Sequence, residues 1–180
     1  MTLWIGTVGA AVGIGLCWLL AHAEYASNGV FGRPLLFPVL ALLAGMIAWT
    51  RALPGTPRAA RPLGWLAVVG VAVIAVGIIA DAWIGARYSV TVWRMGFALE
   101  LLGALLSLLS TTGLGVALLR ARAADAWVPA VLISVIPVSF ALAFVMEGYV
   151  PSFPVAGLCV AWGWALGWRA AHAGEDERFA

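Results

Sequence analysis

The sequence contains no lysine, and only 10% of its 180 residues are charged, whereas about 25% is usual in soluble domains. Hydrophobic residues make up 64% of the chain, and the mean hydropathy is +1.04. A chain with so few charges cannot cover itself with the polar exterior that a water-soluble domain needs. The composition therefore predicts an all-α, polytopic integral membrane protein in contact with membrane lipids, and not a nucleic-acid-binding protein.

Residues and motifs of enzyme chemistry are also scarce. The chain has two cysteines and two histidines, and it contains no P-loop, complete dinucleotide fingerprint, HExxH or GxSxG elbow. His22 and His172 fall at opposite ends of the predicted bundle and cannot jointly hold a haem. Cys17 and Cys159 are interpreted as small hydrophobic residues, although they could meet if the first and last helices touch. We therefore expect no enzyme activity, no cofactor and no metal site.

Long runs without charge predict the transmembrane helices. A bilayer core of about 30 Å requires roughly 20 apolar residues in a helix. Six runs approach this length: residues 3–21, 34–50, 63–84, 95–119, 126–146 and 151–169. We expect one transmembrane bundle over residues 1–172, followed by a polar cytoplasmic tail at residues 173–180.

Proline positions indicate where helices begin and bend. Pro34 and Pro38 stand at the start of the second run. Because proline fits best in the first turn of a helix, they predict that a helix begins there. Pro137 lies inside the fifth run and predicts a kink, whose freed carbonyl group needs a partner.

Arginine alone sets the expected orientation. With six crossings, seven arginines fall on one face of the membrane and three on the other. The positive-inside rule then places both termini in the cytoplasm, in the cell membrane. AHAE at residues 21–24 resembles a signal-peptide cleavage site, but no basic residue precedes the first apolar run, so we interpret this run as a span.

Several charged residues fall at the outer face in this topology. The candidates for binding a ligand or docking a partner are Arg87, Arg94, Asp81 and Glu147. One interpretation is an interfacial belt, in which long charged side chains and the three tyrosines lie at the membrane surface. The alternative is a polar vestibule, in which Arg87 and Arg94 offer guanidinium groups to an acidic ligand or partner.

Glu100 is an acidic residue deep inside a predicted span. It lies six residues beyond Arg94, hence about 9 Å deeper in a helix that rises about 1.5 Å per residue. Spacings of three and four place it on one stripe with small and hydroxyl residues: Gly103, Ser107, Ser110 and Thr111. Such a stripe ties helices together if Glu100 is protonated. Alternatively, Glu100 changes protonation in a proton- or cation-coupled pathway.

Small residues and tryptophans predict further contacts. Gly9 and Gly13 on the first span form a small-xxx-small pair, which lets helices approach closely. Three tryptophans crowd the cytoplasmic half of the last span and are interpreted as interfacial anchors: Trp162, Trp164 and Trp168.

Two stretches resemble the small membrane subunit (the B subunit) of tripartite tricarboxylate transporters. In FGRPLLFPVL at residues 31–40, Pro34, Phe37 and Pro38 match the Gly-Pro-x-Phe-Phe-Pro pattern that opens the second helix of that family. FVMEGYVP at residues 144–151 is similar to the family's ending in Phe-Val, Gly and Leu-Pro. An extra span after residue 151 departs from the family, as do five single residues: Arg33, Leu35, Leu36, Glu147 and Tyr149.

This resemblance implies a non-enzymatic accessory subunit of a secondary transport complex. Such a subunit packs on a larger polytopic subunit and works with an extracytoplasmic solute-binding protein that delivers small carboxylates. Arg87 and Arg94 would then face the substrate or a partner, and Glu100 would take part in coupling. The residues themselves leave two other functions open: a stand-alone structural or regulatory membrane protein, or a lipid- or cofactor-binding module that uses the tryptophans and His22.

Overall fold

The computed structural model describes residues 1–22, 28–53, 58–85, 89–122, 127–145 and 152–172, and within these ranges it contains helices and no strand. The predicted all-α class is confirmed. The predicted tail at residues 173–180 lies outside the described residues. The α-helices are α1 (Thr2–His22), α2 (Asn28–Arg51), α3 (Ala60–Ile78), α4 (Val90–Ala121), α5 (Trp127–Ile133), α6 (Val135–Val145) and α7 (Ser152–His172). α3 continues without a break into a π-helix, Ile79–Gly85.

Several of these helices are long and apolar enough to cross a membrane. In the described part of the chain they are Thr2–Leu20, Arg33–Arg51, Ala60–Gly85 and Val90–Ala121, and α5 and α6 together form a fifth candidate. The prediction of six such spans is therefore only partly right. α7 is not among these candidate spans, because its tryptophans, glycines and Arg169 lower its hydropathy. It nevertheless packs against the other helices. The protein is an integral membrane protein with a helical bundle.

Antiparallel neighbours build the bundle. α1 packs between α2 and α7, α3 packs along α4, and contacts between α2 and α3 join these groups. α5 packs on α4, whereas α6 packs mainly on α7. At one end, Arg169 of α7 donates a hydrogen bond to the carbonyl oxygen of Ala52, just beyond α2, at 3.0 Å. The C-terminal ends of α2 and α7 therefore lie together, as alternating crossings require.

The prediction that Pro34 and Pro38 mark a helix start is wrong. α2 begins at Asn28, so both prolines lie inside it. An interior proline removes one hydrogen bond of the helix and costs about 3 kcal/mol or more. Packing compensates, because most helix stability in proteins comes from tertiary contacts. Here α1 approaches so closely that a Cβ on Gly9 would lie 3.0 Å from the carbonyl oxygen of Pro38.

The kink predicted from Pro137 is confirmed. α5 and α6 meet at Ser134 with a bend of 52°. Pro137 has no N–H for the carbonyl group of Ile133, four residues earlier, and its ring crowds that carbonyl. Ser134 donates its hydroxyl to the carbonyl oxygen of Val131 at 2.8 Å. Gly115 of α4 packs against the break, since a Cβ there would lie 2.9 Å from the amide nitrogen of Ile133.

α4 is a single helix of 32 residues. At about 1.5 Å per residue it is about 48 Å long, which exceeds the roughly 30 Å of a hydrocarbon core, so we expect it to tilt. Its start is capped by Ser89, whose hydroxyl accepts the N–H of Val92 at 3.4 Å. Its end is capped by Arg122, which adopts a left-handed conformation with φ 48°.

Candidate functional site

α3 and α4 approach each other so closely that glycines occupy the contact points. Gly70 and Gly77 on α3 face Gly103 and Gly96 on α4. A Cβ on Gly77 would lie 2.8 Å from the carbonyl oxygen of Gly96, and a Cβ on Gly103 would lie 2.6 Å from that of Gly70. Any larger residue would push the two helices apart. These four glycines are referred to below as the glycine seam.

Two carboxyl side chains are buried on the glycine seam. Asp81 is 8% exposed and Glu100 is 4% exposed. A Cβ on Gly77 would lie 2.6 Å from Cγ of Glu100, and a Cβ on Gly96 would lie 2.9 Å from Cα of Asp81. Asp81 follows Gly77 by four residues, and Glu100 follows Gly96 by four residues, which is about one helical turn in each case. The two acids therefore lie about one turn apart along the same interface.

The location of these acids restricts their chemistry. A carboxylate in an apolar interior is costly unless it is paired or hydrogen-bonded, and it otherwise takes up a proton. Intramembrane acids in protein interiors commonly mark proton or cation pathways. The predicted position of Asp81 at or near the outer face stays a prediction, and the structure adds that its side chain is buried between packed helices. The pair can thus exchange protons, or tie helices together in its neutral form.

The segment that carries Asp81 is a π-helix. π-Helices are rare and are frequent at functional sites. Arg33 of α2 reaches this segment, where its Nε donates to the carbonyl oxygen of Ala82 at 2.9 Å. The guanidinium group lies 5.9 Å from the centre of the Trp83 ring, within the range of a cation–π contact. The Ile79–Gly85 segment is thus held by α2 as well as by α4.

The hydroxyl groups of the predicted polar stripe are buried, as expected. Ser107 donates to the carbonyl oxygen of Ala67 in α3 at 3.2 Å. Thr111 accepts a hydrogen bond from the indole N–H of Trp162 in α7 at 3.0 Å. Ser110 is buried on the same side of α4. Ser107 and Thr111 therefore connect three helices, as the helix-tying interpretation requires, whereas a change of protonation at Glu100 stays a prediction.

The outer charged candidates do not all gather at this site. Arg94 is exposed, and its neighbour Met95 is 62% exposed, so Arg94 lies on a face of α4 directed away from the glycine seam. Arg87 and Glu147 lie outside the described residues, as do the three tyrosines of the predicted belt. The polar vestibule therefore stays a prediction.

Trp162 was predicted to be an interfacial anchor, and this prediction is wrong. Its side chain is fully buried. It packs edge-on against Trp49 of α2, with ring centres 5.3 Å apart and planes at 88°. Because Leu158 and Leu166 lie four residues away on either side and are also buried, Trp162 belongs to the inward face of α7.

An apolar groove of about 590 Å³ runs between α1 and α7. Trp4 and Trp164 line it, together with Cys159. Near one end, the rings of Trp168 and His172 stack with centres 4.1 Å apart. The cysteines of the two helices are free and buried, which agrees with their interpretation as small hydrophobic residues. The lining is suited to contact with lipid.

Arg33 and the π-helix were not identified as a site from the sequence. Arg33 drew attention as one of the residues expected at or near the outer face and as a departure from a family pattern. The sequence did carry a signal for the pairing of α3 with α4. Gly70 and Gly77 are seven residues apart, and so are Gly96 and Gly103. Equal spacings in consecutive spans indicate a close antiparallel pairing, which would have brought Asp81 to α4.

Comparison with known proteins identifies no relative, since no family model, curated protein or solved structure matches this chain. The resemblance to the B subunit of tripartite tricarboxylate transporters therefore stays a prediction. Among the described residues, no group of three or more His, Cys, Asp or Glu side chains could hold a metal ion.

Proposed function

We propose that this integral membrane protein is a non-enzymatic small subunit of a secondary transport complex in the cytoplasmic membrane, with both termini in the cytoplasm. The observation that carries the proposal is the burial of Asp81 and Glu100 on the glycine seam. Helix packing alone needs only small and hydroxyl residues at such positions, and these already surround the two acids. Two acidic side chains buried between membrane-spanning helices are typical of a protein that moves protons or cations.

In the proposed role, Glu100 changes protonation during the transport cycle. The C-terminal end of α3 is predicted to face outward, and Asp81 lies about one turn closer to that end than Glu100 does. A proton that enters from the outer side would therefore reach Asp81 before Glu100. Glu100 packs directly against Gly77 of α3. A change in its protonation would therefore alter the contact between α3 and α4.

The substrate path is proposed to include a larger membrane subunit. Two grooves of about 590 Å³ and 540 Å³ flank α1, and apolar side chains line most of both. Such surfaces fit lipid or a neighbouring transmembrane helix better than a polar solute. A small carboxylate, delivered by an extracytoplasmic binding protein, would then pass at the boundary with the larger subunit, and Arg87 and Arg94 would face the substrate or a partner.

The transport proposal is tested by uptake in cells that carry the variant Glu100→Gln. Labelled dicarboxylates and tricarboxylates are supplied to a deletion strain complemented with the wild type, with Glu100→Gln or with the control Leu105→Ala, which alters an exposed side chain. We expect gradient-driven uptake with the wild type and the control, and none with Glu100→Gln at equal membrane abundance. Wild-type uptake in Glu100→Gln would return Glu100 to a packing role. No uptake above the deletion strain in any sample would contradict the carboxylate proposal.

A stand-alone structural protein is the second candidate, and the hydrogen bonds of the polar stripe favour it. Ser107 and Thr111 join α4 to α3 and α7 through buried side chains. In this alternative, Glu100 is a permanently neutral partner in the same network. The protein would then purify from its membranes as a monomer or a homo-oligomer.

A further inference from the structure

At the end of α3 the backbone hydrogen bonding changes from the α-helical to the π-helical register, and contacts with other helices must stabilise this change. Residues Ala60–Ile78 are α-helical, and the same helix widens at Ile79 and remains π-helical to Gly85. A π-helix bonds each residue to the fifth along the chain and is usually limited to a single turn. A change between the two registers rotates the residues beyond it about the helix axis. The direction in which Asp81 points therefore depends on the register.

α4 shapes this segment by close packing. A Cβ on Gly85 would lie 2.8 Å from Cβ of Trp93, and a Cβ on Gly96 would lie 2.9 Å from Cα of Asp81. The two glycines therefore let the wide turn lie directly on α4. These contacts leave room for the π-helix, but they are short-range and non-directional, so they do not by themselves select the register.

α2 supplies a directional contact to the π-helix. Arg33 donates its Nε–H to the carbonyl oxygen of Ala82 across 49 residues of sequence. Hydrogen bonds from a charged donor are about twice as strong as neutral ones, and a low-dielectric surrounding strengthens them further. The guanidinium group also lies over Trp83, the next residue. Two consecutive residues of the π-helix are thus fixed by one side chain.

We propose that Arg33 is a positioning residue that holds Ile79–Gly85 in the π register and thereby keeps Asp81 on the glycine seam. When the Arg33 contact is lost, the segment rewinds toward the α register and Asp81 turns away from Gly96. The contact of Arg33 in α2 with Ala82 and Trp83 in the π-helix is referred to below as the latch. The inference does not depend on the transport proposal, because it concerns the conformation of the purified protein.

The latch is tested by hydrogen exchange of the full chain in lipid nanodiscs, followed by mass spectrometry. Loss of a hydrogen bond to a charged group corresponds to an increase of at least about tenfold in local opening. We therefore expect the amides of residues 79–85 to exchange at least about tenfold faster in Arg33→Gln, and Arg33→Lys to restore part of the protection. Arg94→Gln is the matched control, because Arg94 is an exposed arginine, and it should exchange as the wild type does.

Arg33→Met is a second variant that tests for poor folding, because it retains an apolar stem and removes the charged guanidinium group that makes both contacts. It should show the same increase as Arg33→Gln. Wild-type exchange at residues 79–85 in both variants would overturn the proposal. Equal acceleration throughout α1 and α7 would also overturn it, since that result indicates general destabilisation.

A thiol at position 81 reports the orientation directly. The reporter is Asp81→Cys in a background with Cys17→Ala and Cys159→Ala, and a maleimide in solution measures its access to water. With Arg33 present, the thiol should react slowly, and Arg33→Met should accelerate labelling several-fold. A second reporter is Ala98→Cys, on the exposed side of α4. Its labelling rate should be the same with Arg33 present and with Arg33→Met. Equal rates for the thiol at position 81 would contradict the latch.

Discussion

Trp162 of α7 donates its indole N–H to the hydroxyl oxygen of Thr111 in α4 at 3.0 Å, and both side chains are fully buried. The bond links two helices that are separated by the α5–α6 pair in sequence. Trp162 also packs on Trp49 of α2, so a single side chain joins three helices at one point in the interior.

Removing the acceptor of this bond should destabilise the bundle. Thr111→Val keeps the shape of the side chain but leaves the indole N–H without its partner, which costs about 1–3 kcal/mol. Unfolding in mixed detergent micelles measures the change in the free energy of unfolding. Thr112→Val is the matched control, because the Thr112 hydroxyl is buried and has no hydrogen-bond partner, and its replacement should be neutral or slightly stabilising. Equal losses in the two variants would contradict this role of Thr111.

The glycine seam should tolerate no added methyl group. Gly96→Ala would place a Cβ against the backbone of Asp81, and overpacking of this kind costs about 1–3 kcal/mol. Thermal unfolding in nanodiscs measures the effect. Gly15→Ala provides the comparison, since a Cβ at Gly15 has no neighbour within 4 Å, and it should stabilise α1 by about 0.5–1 kcal/mol. A Gly96→Ala protein as stable as the wild type would refute the close approach of α3 and α4.

The bend between α5 and α6 should depend on Pro137. Pro137→Ala restores an N–H that can bond to the carbonyl group of Ile133, so the pair should straighten. Spin labels at residues 127 and 144 report the change, because the seventeen intervening steps span about 26 Å in a straight helix. The measured distance should increase toward that value. Pro129→Ala, in the first turn of α5, should leave the distance unchanged, and an unchanged distance in Pro137→Ala would assign the bend to packing around Gly115.

The sequence predicts the helices well because charged residues bound the apolar runs. Arg51 and Arg120 lie at the C-terminal ends of α2 and α4, and Arg61 lies at the start of α3, close to where the runs were predicted to stop or begin. Local preferences failed at Pro34 and Pro38, since tertiary packing carries α2 through both prolines. Counting charge-free residues overestimated α7, because its tryptophans, glycines and Arg169 keep its hydropathy below that of the other candidate spans.

The candidate site was only partly predictable, since periodicity describes one helix at a time. The spacing of Glu100, Ser107 and Thr111 was enough to predict a buried stripe on α4. It could not show that α3 is the neighbour that brings Asp81 to the same interface. The role of Arg33 depends on a third helix and on a π-helical register, neither of which has a pattern in the local sequence.

The most direct test of the transport proposal is native co-purification. The tagged protein is extracted from its own membranes in a mild detergent that is shown to preserve known complexes, and mass spectrometry identifies what remains bound. We predict a larger polytopic membrane protein in stoichiometric amount, retained in Glu100→Gln because this residue acts in coupling and not in assembly. An eluate that contains only this chain, as a monomer or a homo-oligomer, would contradict the proposal and favour a stand-alone structural protein.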